Sequence, residues 1–339
     1  MTAMTSASSR PAALVPWVVL ALGVIGAVVS CLLQARSYAS YTVFGLNPLF
    51  VDWLHNWAAV SRAFSGRALY APLQLAGPYV DNQTMLVGYL YPPSSILLLA
   101  PFTGAPFGLL AWVVLNVGLL VTGLAAALQR EVGRHWVLGL GLALLLLAPQ
   151  EPFTEGVTVG NMNVAIAGLL AWAWALGPRS RLIGVLAGVA GTVKVVPGAL
   201  VFWGIRGRGW RPLVETGVTV LVLAALALPF AGIGTWRDYL TTVANDRALC
   251  GPIPSVACLF TPAAGVAGGK VLATVVAAVL ALAATRVGNE YVAFALVVLA
   301  MLAPVPDVHT HFMLWLDVVL IVGLARTAGR WARARTAPG

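Results

Sequence analysis

Apolar runs long enough to cross a lipid bilayer, most of them ending near arginine, constrain this chain more than any other feature. Ala12 to Leu33, Pro212 to Phe230 and Val266 to Thr285 are each about the length a helix needs to span a hydrocarbon core of ~30 Å. Ser94 to Leu128 is longer and broken between Pro101 and Pro106, and Trp136 to Ala148, Val164 to Leu176, Tyr291 to Ala303 and Phe312 to Ala325 are shorter. Inside hydrocarbon each backbone N–H and C=O must be satisfied within its own segment, so such runs fold as helices. Charged residues make up only 9% of the chain, against roughly 25% in soluble domains. The fold class is therefore an all-α polytopic membrane protein, a bundle of roughly 8–11 transmembrane or re-entrant helices.

The arginines assign sides. Arg130 and Arg134, Arg179 and Arg181, Arg206, Arg208 and Arg211, Arg286 and the tail arginines all flank apolar runs, and basic flanks stay in the cytoplasm. The net charge of +9 thus reads as topology, and no nucleic-acid partner is implied. Residues 1–11 form a cytoplasmic tail, 12–325 one transmembrane domain and 326–339 a basic cytoplasmic tail. Loops 34–93, 150–160, 231–262 and 304–311 fall on the exterior of a plasma membrane. Val28-Val-Ser-Cys31 resembles a lipoprotein cleavage site, but the further spans favour an uncleaved first helix. Leu182 to Ile205 has basic residues at both ends, yet two full crossings need about 40 residues. A broken or re-entrant segment around Gly191 to Pro197 resolves this, tolerated where protein or a wet cavity covers it.

The polar residues give the candidates. In the first exterior loop Trp53, Trp57, Val60 and Phe64 recur at helical spacing, which predicts a helix along the membrane surface that opens on Asp52, His55 and Asn56. Asp52 is one of eleven acidic residues; it serves as a helix cap or as a catalytic carboxylate. Lys194 lies mid-segment beside the Pro197 break, where a buried ammonium needs an anion; snorkelling to an interface is the alternative. Asn161 and Asn163 either cap a helix or face a ligand. His309 and His311 cannot share a helical face and suit a loop, donating to phosphate or shuttling a proton. Cys250 and Cys258 share one exterior loop and form a disulfide or remain two thiols. No metal-ligand spacing, Walker loop or dinucleotide fingerprint occurs. A carboxylate, a buried cation, exterior imidazoles and many aromatics are the parts that sugar transfer from a lipid phosphate requires.

The ordered motifs resemble the polyprenol-phosphate-mannose-dependent glycosyltransferases of family 87, of actinobacterial type and GT-C fold. They are Asp52 with the helix ending in Gly66-Arg-Ala-Leu-Tyr70, then Tyr91-Pro-Pro93, Gly160-Asn161-Met-Asn163, Lys194-x-x-Pro197, and a final His-x-His before Trp315. The resemblance implies an inverting transfer of a hexose, mannose above all, on the exterior face, without metal or other cofactor. The donor would be a polyprenyl-phosphate sugar, the acceptor a cell-envelope glycolipid or polysaccharide, within membrane lipid. It implies Asp52 as general base, Lys194, His309 and His311 at the donor phosphate, and His55, Tyr91, Asn161 and Asn163 around the substrates. A non-enzymatic translocase of lipid-linked sugars is the alternative; one helix break and no internal symmetry disfavour it.

Overall fold

A computed structural model of the chain describes residues 10–40, 49–79, 89–103, 107–246, 253–306 and 308–336. Among the described residues every extended element is helical and no strand forms. Among the described residues five stretches are long and apolar enough to cross a membrane, and four shorter apolar helices accompany them.

The first, α1 (Arg10–Ala39), turns most of its apolar side chains outward, Trp17, Leu22, Ile25 and Leu32 among them, as a lipid-facing helix does. α2 (Val51–Phe64) and α3 (Pro72–Ala76) follow within the predicted first loop. The surface stripe predicted for α2 divides. Val60 is buried together with Asn56 and Ala59, whereas Trp57 and Phe64 stay exposed. The helix thus seals the bundle with one face and offers aromatics outward with another.

Tyr91-Pro-Pro93 opens a short helical run containing α4 (Ile96–Leu99), which ends at Phe102 before α5 (Gly108–Val132); the proline-rich stretch breaks the apolar run where the sequence predicts. α6 (Trp136–Leu147) returns after Gly133. The predicted loop 150–160 is instead largely helical, α7 (Glu151–Thr158), because Pro152 fits a first turn and Phe153 and Gly156 bury one face. α8 (Asn163–Leu176) packs against α5, and the pair approaches closely. A Cβ on Gly123 would lie 2.4 Å from the Gly168 carbonyl oxygen, so small residues set this crossing.

The expected break is present. α9 (Leu182–Val193) stops at Lys194, whose backbone is extended (φ −135°, ψ 133°). A 3₁₀ turn over Val196–Ala199 then leads into α10 (Leu200–Arg208). At ~1.5 Å per residue both helices are far shorter than a bilayer core. They pack on each other as a hairpin with Lys194 at its tip.

α11 (Arg211–Ala231) lies along α9 and faces outward with Leu221, Val222 and Leu226. The second predicted loop holds α12 (Gly234–Asn245). α13 (Val256–Arg286) is two helices joined at Gly265 (φ 69°), so the long apolar run starts beside the predicted Val266. α14 (Glu290–Leu302) and α15 (Leu314–Thr336) close the bundle. Its core is aromatic at one level, where Trp174, Trp203 and Phe294 pack with ring centroids 5.2–5.6 Å apart.

Candidate active site

Two turns bring the polar candidates together. The first joins α7 to α8 through Val159-Gly160-Asn161-Met162. Gly160 has φ +72°, and a Cβ there would lie 2.9 Å from that of Trp53, so glycine alone permits α2 to approach. The amides of Asp52 and Trp53 donate to the Val159 carbonyl at 3.0 and 3.4 Å, and Phe50, itself left-handed at φ 57°, donates to Thr158. Trp112 of α5 fixes the same turn, its indole N–H donating to the Gly160 carbonyl at 2.8 Å. The start of α2 is thereby tied to the turn.

Asp52 lies inside the first turn of α2 behind the N-cap residue Phe50, and that N-cap makes no side-chain cap bond. Its carboxylate accepts from Asn161 Nδ2 at 2.5 Å. Asn161 Nδ2 also lies 3.1 Å from His311 Nε2, and Asn161 Oδ1 accepts from the backbone amide of Asn163 at 2.8 Å. Asn163 Oδ1 in turn accepts from Lys194 Nζ at 2.9 Å. Anion and cation thus stand at the two ends of a hydrogen-bonded run through Asn161 and Asn163. The Lys194 ammonium sits 4.4 Å from the Phe312 ring centre and 5.7 Å from that of Tyr91, both within cation–π reach. A half-buried ammonium held against aromatic faces is placed as a phosphate site requires.

The second turn precedes α15. There His309 and His311 stack, 5.5 Å between ring centres and 7° from parallel. His309 is extended (φ −84°, ψ 162°) and leads into a 3₁₀ turn over Thr310–Phe312, and this turn brings the two rings together. Glu155 of α7 reaches across to it. Its Oε2 accepts from the Thr310 hydroxyl and from the His311 amide at 3.2 Å, and lies 3.5 Å from His311 Nδ1.

Tyr91 is held from behind: its carbonyl accepts from the Tyr70 hydroxyl at 2.7 Å, and Tyr89 meets it edge-on. The Tyr89 hydroxyl bonds Ser95 at 2.6 Å. Burial pushes both phenols well above their ordinary range, so they stay neutral donors and act as a scaffold.

Asp52, Tyr91, Asn161, Asn163, Lys194, His309 and His311 are therefore gathered at one locus. His55 lies three residues beyond Asp52 on α2 and is half-buried. Cys258 is disulfide-bonded and Cys31 free; the expected partner of Cys258, Cys250, lies outside the described residues, as does Asp81. Among the described residues no group of three His, Cys, Asp or Glu is placed to hold a metal ion. Glu155, Phe312 and Trp315, whose indole donates to the Asn163 carbonyl at 3.3 Å, also belong to the site. The sequence placed Glu155 only as a loop acid; the helical register of α7, which aims it at residue 311, carries no short-motif signal.

The model of glycosyltransferase family 87 matches residues 89–308, a stretch that holds Tyr91, Glu155, Asn161, Asn163 and Lys194 and stops just before His309. Alpha-(1->3)-arabinofuranosyltransferases of Mycobacterium tuberculosis, from strains CDC 1551 / Oshkosh and ATCC 25618 / H37Rv, are 28% identical to this chain over 158 residues. That stretch is 44% of this chain and 35% of theirs, so the likeness spans about a third of the length of those relatives. No solved structure matches.

Proposed function

This chain belongs to glycosyltransferase family 87, and we propose that it transfers a hexose, mannose in the first instance, from a polyprenyl-phosphate donor to a cell-envelope glycolipid or glycan. The observation that carries this reading is the single run of hydrogen bonds from the Asp52 carboxylate through Asn161 and Asn163 to the Lys194 ammonium. A base and a phosphate-binding cation are the two groups that an inverting transfer needs.

An acceptor hydroxyl placed against Asp52 gives up its proton to the carboxylate as its oxygen attacks the anomeric carbon. The bond from that carbon to the phosphate oxygen breaks, and both its electrons leave with the polyprenyl phosphate. Lys194 neutralises the charge gathering there, with the His309 imidazole on the same wall. Tyr91 and Phe312 offer aromatic faces to the sugar or to the prenyl chain. The site belongs on the exterior of the plasma membrane in this reading. Arg130 in the last turn of α5 and Arg333 in the last turn of α15 lie about one membrane thickness away by the ~1.5 Å rise per residue. A Cys250–Cys258 bond fits the same oxidising side.

An arabinofuranose in place of the hexose is the second reading, favoured by the activity named for the mycobacterial relatives. The purified protein in lipid nanodiscs, given labelled polyprenyl-phosphate-mannose or polyprenyl-phosphate-arabinose with an envelope glycolipid fraction, decides between them. We expect transfer from the mannose donor and loss of it in Asp52→Asn. Transfer from the arabinose donor alone replaces the sugar assignment. Transfer from neither overturns the reading.

A further inference from the structure

We infer that Glu155 is a positioning residue that fixes the tautomer of His311, so that Nδ1 carries the proton and Nε2 offers its lone pair toward Asn161 and Asp52. The inference deepens the glycosyl-transfer reading and rests on it for its functional part. Its structural part stands on the hydrogen bonds of Asn161 and on the Glu155 carboxylate beside Nδ1.

The orientation of the Asn161 amide is determined from two sides. Its oxygen must face the Asn163 backbone N–H, a donor 2.8 Å away. Its nitrogen then faces Asp52, whose carboxylate oxygen accepts from it. An amide nitrogen has two hydrogens: one goes to Asp52, and the other points at His311 Nε2, 3.1 Å away. A proton on Nε2 would set two donors against each other, so Nε2 accepts and the ring proton sits on Nδ1.

Nδ1 is buried and, among the described residues, has no hydrogen-bond partner of ordinary length. The group facing it is the Glu155 carboxylate at 3.5 Å, long for a hydrogen bond but of the right charge to favour a proton on the nearer nitrogen. Glu155 is itself immobilised, since Oε2 also takes the Thr310 hydroxyl and the His311 amide. One carboxylate oxygen thus grips both the backbone and the ring side of the loop that carries the imidazole. The other charged groups that act on His311 are Asp52 from α2 and Lys194 from the hairpin tip, and His309 stacks on its face.

The consequence separates the two imidazoles. With Nε2 as an acceptor, His311 has no ring N–H to offer a phosphate on the Asp52 side. It serves the base, holding the second hydrogen of the amide that orients Asp52. Donor-phosphate contact then falls to Lys194 and His309.

The test reads the tautomer directly. Protein labelled with ¹⁵N-histidine carries four such residues, and the spectrum of His311→Asn identifies the His311 signals by their loss. We expect the wild type to show His311 protonated at Nδ1 and bare at Nε2. Glu155→Gln should move population toward protonation at Nε2, and Glu155→Asp should largely restore the wild-type pattern. In the transfer assay Glu155→Gln should lower kcat by about 10- to 100-fold, by analogy with the loss when a carboxylate behind a metal-bound histidine is removed. The donor KM should change less than about 2-fold, because uniform binding is untouched. Wild-type His311 protonated at Nε2, or a population that Glu155→Gln and Glu155→Ala both leave unchanged, overturns the inference. If the tautomer behaves as expected and no donor is turned over, the assignment stands and the glycosyl-transfer reading is what fails.

Discussion

The molecule holds two clusters of ionisable side chains along the same helices, and they are built on opposite rules. At one end of α5 and α8, beside the middle of α15, Glu131 is buried among arginines. It receives the Trp174 indole N–H at 3.0 Å and lies 3.9 Å from Arg130 and 3.7 Å from Arg326. Arg130 also pairs with Glu290 at 2.7 Å, its guanidinium 4.8 Å from the centre of the Trp174 ring. Two acids and two arginines cancel there. At the other end Asp52, Glu155 and Lys194 are separated by amides and imidazoles, and among the described residues no arginine pairs with either acid. Asn163 Nδ2 and the Trp53 indole nitrogen are buried without partners among the described residues. A charge neutralised by a guanidinium fork is held in place. A charge solvated by amides remains available for a ligand.

That contrast is broken or sharpened first at Asp52. Asp52→Asn retains the shape of the carboxylate and its place beside Asn161, so we expect a thermal midpoint near that of the wild type. Transfer should fall by about 10²- to 10⁴-fold, the usual contribution of a positioned base. A variant that unfolds instead would place Asp52 with the structural cluster. Glu131→Ala should do the reverse. Removing one partner from a buried ion network leaves uncompensated charge and costs about 3 kcal/mol, read as a lowered midpoint in detergent. The transfer rate per folded molecule should stay near that of the wild type.

Lys194→Met is the intermediate case. The thioether chain still fits between Phe312 and Tyr91, but it cannot neutralise a phosphate. We expect the donor KM to rise about 10- to 100-fold with the acceptor KM little moved. Equal loss for both substrates would mean that Lys194 holds the hairpin tip rather than the donor.

The two clusters also differ in how far the sequence discloses them. Asp52, Lys194, Asn161, Asn163 and the His-x-His pair stand out because polar residues in or beside apolar runs are rare and ordered along the chain. The hairpin was legible because Arg181 and Arg206 cannot bracket two full crossings in so few residues. Glu155 was not legible as a partner of His311, since nothing local ties the register of a short helix to a loop far along the chain. Nor was the division of the α2 stripe, in which Val60 faces the core and Trp57 the outside. Periodicity marks which residues share a face but not which neighbour arrives to cover it. The arginine cluster was read only as topology. Its second role, neutralising Glu131 and Glu290, depends on tertiary neighbours that flanking-charge rules ignore.

The smallest effect tests whether the arginine cluster is as purely structural as the comparison makes it. Trp174 is wholly buried, stacked on Trp203 and packed against Phe294. Trp174→Phe retains an aromatic face for Arg130 and Arg326 and removes the indole N–H that Glu131 accepts. A hydrogen bond to a charged group contributes roughly 1.5–3 kcal/mol, but two guanidinium groups remain within 4 Å of that carboxylate and recover part of it. The expected loss is therefore about 1–2 kcal/mol, seen as a modest fall in the midpoint with unchanged KM for donor and acceptor. A change in KM without a change in midpoint would show that the far end of α8 is coupled to the Asn161 turn. The division between a holding cluster and a working cluster would then have to be redrawn along that helix.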